Sequence, residues 1–187
     1  MTSARNIGFI VLVDAGDNDV HKIRETLLEI EEIDLVHCLI GPTDLICYGR
    51  TTDVNQLKTL MSDRVHALLE DRFNPIERTE TMLVLDHYGS ALSSETHSRP
   101  NGTGAWIFAD LRISGSTIAE KLLSRHPEIK TAFNVLGRND TVFYVESETL
   151  DSLMGVIDEG FRVLRGIGSE GKPTKALSRT DTRLVLM

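Results

Sequence analysis

Val36-His37-Cys38-Leu39-Ile40-Gly41-Pro42-Thr43-Asp44-Leu45-Ile46-Cys47-Tyr48 places a polar turn, Gly41 to Asp44, between two apolar runs. Ninety-six positions later the arrangement returns as Ala132-Phe133-Asn134-Val135-Leu136-Gly137-Arg138-Asn139-Asp140-Thr141-Val142-Phe143-Tyr144, with Gly and Asp in the same places. A second pair agrees: Arg78-Thr79-Glu80-Thr81-Met82-Leu83-Val84-Leu85 reappears as Arg179-Thr180-Asp181-Thr182-Arg183-Leu184-Val185-Leu186, at an offset of 101. The chain is a tandem repeat. Only two residues separate Gly41 from Asp44, which predicts a tight hairpin with 40 facing 45 and Cys38 facing Cys47.

The periodicity around that turn supplies the other elements. Ile7 to Val13 is an apolar run broken only by Gly8 and reads as a buried strand. Val20, Ile23, Leu27 and Ile30 then fall at helical spacing, with His21, Lys22, Arg24 and Glu25 on the other side. After the hairpin a second helix is expected from Val54 to Leu69, and Pro75 precedes a last strand over Ile76 to Leu85. The order β-α-β-β-α-β is that of the ferredoxin-like unit, an antiparallel sheet with both helices on one face. The second copy begins at Ala105-Trp106-Ile107-Phe108, with Gly115-Ser116 as turn and cap, and its first helix stops near Pro127. Its second helix, Thr149 to Leu164, should bury Leu150, Leu153, Met154, Ile157, Phe161 and Leu164. The Gly166–Pro173 loop is five residues longer than its counterpart, which accounts for the change of offset. The fold class is therefore α+β, with two tandem ferredoxin-like domains, 1–88 and 104–187, joined by a Gly/Ser/Thr-rich linker, 89–103.

A chain of 187 residues with 41% hydrophobic and 26% charged residues is an ordinary globular composition. No apolar run reaches the ~20 residues of a membrane-spanning helix, and the start lacks a signal-peptide pattern. A cytoplasmic protein is expected. The net charge of −8 and the lack of a Lys/Arg stripe argue against direct nucleic-acid binding. Cys38 and Cys47 are the only cysteines, too few for a disulfide scaffold or a four-cysteine zinc site. None of the six histidines stands at a recognised metal spacing, so neither a metal nor a cofactor is indicated.

The doubled pattern of strand, Gly-x-x-Asp turn, strand, helix and Thr-x-Thr-x-Leu-Val-Leu final strand resembles the ligand-binding (RAM) domain of Lrp/AsnC transcriptional regulators. That resemblance implies dimeric α/β-barrel pairing of sheets, homo-oligomers, and an amino acid or related small effector bound near the turn. It places candidate ligand contacts at Gly41, Thr43, Asp44, Gly137, Asn139 and Asp140. A Gly in such a turn lets backbone N–H groups approach a carboxylate, and an Asp can accept from an amino group. The same residue types also serve plain hairpin turns. Six residues before the first strand leave no room for the family's helix-turn-helix.

The expectation is a non-enzymatic regulatory protein acting with DNA-binding relatives. Its alternatives are a dimeric α/β-barrel enzyme acting on a small aromatic substrate or haem, and a structural assembly module. Trp106, Phe108, Tyr48 and Tyr144 would either line a pocket on the helix-free sheet face or pack in a core or interface. A cavity holding a strongly perturbed titratable group would favour the enzyme.

Overall fold

The computed structural model describes residues 7–70, 75–97, 102–111, 115–166 and 177–186. The chain is α+β, and its described residues divide between two ferredoxin-like units with antiparallel sheets. Of the described residues, one unit comprises 7–70, 75–84, 92–97 and Leu186; the other holds 85–91, 102–111, 115–166 and 177–185.

In the first unit β1 (Ile7–Asp14), α1 (Val20–Leu28), β2 (Ile33–Ile40), β3 (Leu45–Thr51), α2 (Val54–Leu60) and β4 (Arg78–Gly89) follow in order. The sheet runs β4-β1-β3-β2. Strand alternation sends Phe9, Val11 and Val13 into a core with Ile23, Leu27, Leu57 and Leu60 of the helices. Ile10, Leu12 and Met82 point the other way and are buried as well, so both faces of this sheet are covered. Asp19 starts α1 by accepting from the backbone N–H groups of His21 and Lys22.

Three local expectations change. The helix expected to reach Leu69 keeps α geometry only to Leu60, widens to a π turn over Met61–Val65 and tightens to a 3₁₀ turn over His66–Glu70. This repitching keeps Val65 fully buried and leaves Leu69 38% exposed. The two-residue hairpin is instead a wider turn: Cys38 pairs with Leu45 and Val36 with Cys47, and the Leu39 N–H donates to the Asp44 carbonyl. The cysteines are therefore diagonal rather than opposite, both buried in the helix-side core, and burial pushes both thiols up. Finally, part of the supposed linker is structured. Ser94–His97 forms a short helix, α3, Leu92 beside it is buried, and the ring of His37 on β2 hydrogen-bonds the His97 carbonyl.

The second unit repeats the plan with β5 (Thr103–Leu111), α4 (Gly115–Arg125), β6 (Ile129–Leu136), β7 (Thr141–Ser147), α5 (Leu150–Gly166) and β8 (Leu177–Val185). Its sheet runs β8-β5-β7-β6. Ala105, Ile107, Phe143, Val145, Ile118, Leu122, Leu153 and Phe161 share its helix-side core. Phe143 and Phe161 meet edge to face at 5.1 Å, a contact worth ~1 kcal/mol beyond its buried area. Leu150 and Met154, expected inside, are 48% and 51% exposed, because α5 centres its buried stripe on Leu153, Val156 and Phe161. Residues 167–173 of the Gly166–Pro173 loop and the side chain of Leu164 lie outside the described residues.

Candidate functional site

The two Asp residues of the repeated turn are fastened to the ends of neighbouring strands. Asp44 Oδ2 accepts the Ala15 N–H at 2.7 Å, and Asp140 Oδ2 accepts the Leu111 N–H at the same distance. The Asp140 N–H in turn donates to the Ala109 carbonyl, as that of Asp44 does to Val13. Each carboxylate thus holds the backbone at the end of the first strand of its unit. Gly41 and Gly137 are exposed, and Thr43 is buried. Asn139 differs from the others in facing a cavity.

That cavity, about 250 Å³, belongs to the second unit and is lined by Asp110, Arg138, Asn139, Arg179, Asp181 and Arg183. The register explains how sequence-distant residues converge. On the helix-free side of the sheet Arg183 is paired with Trp106, Asp181 with Phe108 and Arg179 with Asp110, so alternate β8 residues line one side. The β6–β7 turn brings in Arg138 and Asn139. Arg183 is only 6% exposed. Its Nη2 and Nε lie 2.9 and 3.2 Å from Asp181 Oδ2, and its guanidinium sits 4.5 Å from the centre of the Phe108 ring. Asn139 Nδ2 donates to Asp110 Oδ1 at 2.8 Å. Arg138 and Arg179 are exposed at the rim and make no ion pair among the described residues. Three guanidiniums face two carboxylates, both already engaged, which favours an incoming anion with planar oxygens.

The neighbouring rings are closely packed. Trp106 lies 4.9 Å from Tyr144 and 6.5 Å from Phe133, whose ring also stacks on His87 at 4.9 Å. Trp106, Phe108 and Tyr144 are thus core residues. The Tyr144 hydroxyl donates to Glu146 Oε1 at 2.7 Å, and burial, then this carboxylate, pushes the phenol far above its ordinary value. Glu146 borders a separate cleft of about 460 Å³ with Glu128, Lys130 and Glu148, a lining that repels anions. Its counterpart in the first unit, about 260 Å³, holds Glu31, Glu32 and Arg50, the last paired with Asp34 at 2.7 Å.

The sequence reading did not single out Arg138, Arg179 or Arg183. The usable signal was a departure within the repeat: Arg183 stands where the first copy has buried Met82.

No known family profile matches the chain, and no curated protein matches it. Solved structures do. Siroheme decarboxylase NirDL is similar over 100% of this chain and 74% of its own, at 7% identity and a TM-score of 0.58. A chlorite dismutase from Candidatus Nitrospira defluvii is similar over 98% of this chain and 91% of its own, at 13% identity and a TM-score of 0.55. These likenesses establish the fold. A transcriptional regulator from Neisseria meningitidis, solved with L-Met, is similar over 72% of this chain and 68% of its own, at 14% identity and a TM-score of 0.36.

The expectation of a non-enzymatic regulatory protein is corrected here. The folds matched along the whole chain are those of enzymes.

At the arginine pocket and the two clefts, the residues present do not fit a resident haem held by a histidine. Two rings are held elsewhere in the fold: His37 Nε2 bonds the His97 carbonyl, and His87 Nε2 lies 2.8 Å from Thr131 Oγ1 and 3.1 Å from the Ser90 carbonyl. No histidine borders the arginine pocket or either cleft.

Proposed function

We propose that the protein is an enzyme acting on a carboxylate-bearing iron tetrapyrrole, with the tetrapyrrole as substrate rather than as a resident group. The supporting observation is the arginine pocket of the second unit, with buried Arg183 at its base and Arg138 and Arg179 at its rim. A pocket of about 250 Å³ is too small for a whole macrocycle but suits its carboxylate arms. Guanidiniums match carboxylates in geometry as well as charge, and Phe108 under Arg183 lowers the local dielectric in which they meet. The reaction class follows the full-length likeness to siroheme decarboxylase, which has also been solved with an iron-uroporphyrin III analogue. Loss of carbon dioxide breaks a C–C bond, leaves its electron pair on carbon and requires a proton there. In this reading the arginines hold carboxylates that do not react and fix the macrocycle's orientation, which is where positioning lowers a barrier.

Optical titration with iron uroporphyrin tests the binding half of this proposal. Saturable binding is expected, weakened on the order of tenfold to a hundredfold in Arg183→Met. Equal binding by both proteins would remove the arginine pocket from the substrate site.

A further inference from the structure

The same corner of the fold exists twice, and among the described residues the pocket lies at the second copy. In the first unit the positions of Arg138, Asn139 and Arg183 are held by Pro42, Thr43 and Met82. Met82 is fully buried and Thr43 is 7% exposed, so neither the apolar base nor the turn offers a cation. The third arginine is shared, since Arg179 corresponds to Arg78, but its neighbours differ. Arg78 Nη2 lies 3.7 Å from Asp14 Oδ2, a pairing within its own unit. In the second unit the equivalent carboxylate, Asp110, accepts from Asn139 Nδ2 instead, and Arg179 makes no ion pair among the described residues.

We infer that each chain carries one carboxylate-recognising pocket, built in the second unit by Arg138 and Arg183, and that Asn139 is the positioning residue that opens it by engaging Asp110 in place of Arg179. The first unit's corner is a closed structural joint. Thr43 carries no amide, and Asp14 there lies beside Arg78, so the charge that faces the pocket in one copy has a carboxylate neighbour at the rim in the other. The inference rests on the tetrapyrrole reading only for the natural ligand; the anion chemistry of the pocket stands on its own residues.

Calorimetric titration with citrate, a compact tricarboxylate, tests it on the full chain. One site per chain is expected, lost in Arg183→Met and unchanged in Arg78→Met. Asn139→Thr should weaken citrate on the order of tenfold, as Arg179 turns to Asp110. In an Asp110→Asn background the same Asn139→Thr change should have no further effect, an outcome a merely structural role for Asn139 would not give. Two sites per chain, equal weakening by Arg78→Met, an undiminished Asn139→Thr effect in Asp110→Asn, or no citrate binding would each overturn the inference. Citrate bound at one site with no tetrapyrrole binding keeps this inference and removes the tetrapyrrole reading; two tetrapyrroles per chain does the reverse.

Discussion

Arg183 and Met82 occupy matching strand positions, and the difference between them separates function from stability. Removing one partner of a fully buried ion pair strands the other at a cost of about 3–5 kcal/mol, but Asp181 keeps 34% of its side chain exposed, so water can take the place of Arg183. Arg183→Met is therefore expected to change unfolding free energy by less than about 1 kcal/mol while weakening anion binding; urea denaturation beside titration checks both. Asp44 is the opposite case. Its carboxylate is the partner of the Ala15 N–H, and Ala15 is fully buried, so Asp44→Ala should leave an orphaned donor and cost about 1–3 kcal/mol in the same assay. His37 gives a pH signature. Burial, reinforced by Arg24 and opposed by the bond to the His97 carbonyl, lowers its pKa from 6.5 to about 4. As pH falls the unfolded chain takes up that proton first, so the contribution of neutral His37 is complete above pH 6.5 and is lost towards pH 4. The stability difference between wild type and His37→Phe should shift by on the order of 3 kcal/mol across that window, with the wild type falling faster. Parallel curves would show that His37 does not titrate with folding.

At the scale of elements, α5 shows where periodicity is informative and where it stops. Six apolar positions at helical spacing marked a helix, yet the stripe they define is wider than the strip of sheet available to cover it. Leu153 is fully buried and Met154 half exposed. Leu153→Ala should cost about 2–5 kcal/mol and Met154→Ala less than about 0.5 kcal/mol, measured by thermal or urea unfolding. The hairpin teaches a related lesson. Gly-x-x-Asp located the turn, but the Asp side chain bonds the end of the first strand, a long-range hydrogen bond that no local spacing encodes. The turn is also wider than two residues, with Cys38 paired to Leu45 rather than Cys47. The helix α3 within residues 89–103 was illegible for another reason. Four residues are too few to show a period, and their ordering comes from Leu92 and from His37, which lies 60 positions away from His97.

For the molecule as a whole, the internal repeat made the β-α-β-β-α-β plan of each unit legible, because both copies had to satisfy the same packing. The candidate site was illegible for the complementary reason. It is built from what the copies do not share, Arg138 and Arg183, together with Arg179, freed where Asn139 replaces Thr43, and these residues meet only once β8 pairs with β5. Of the six positions assigned to a ligand, Asn139 alone borders the pocket. Mass spectrometry of iron uroporphyrin incubated with the protein, under reducing and oxidising conditions and against an Arg183→Met control, decides most directly whether the chain is an enzyme of tetrapyrroles. Catalytic turnover should appear as products lighter by whole units of carbon dioxide, formed in molar excess over protein and strongly reduced in the control. Unchanged tetrapyrrole at every protein concentration, with tight binding or without it, would refute tetrapyrrole decarboxylation.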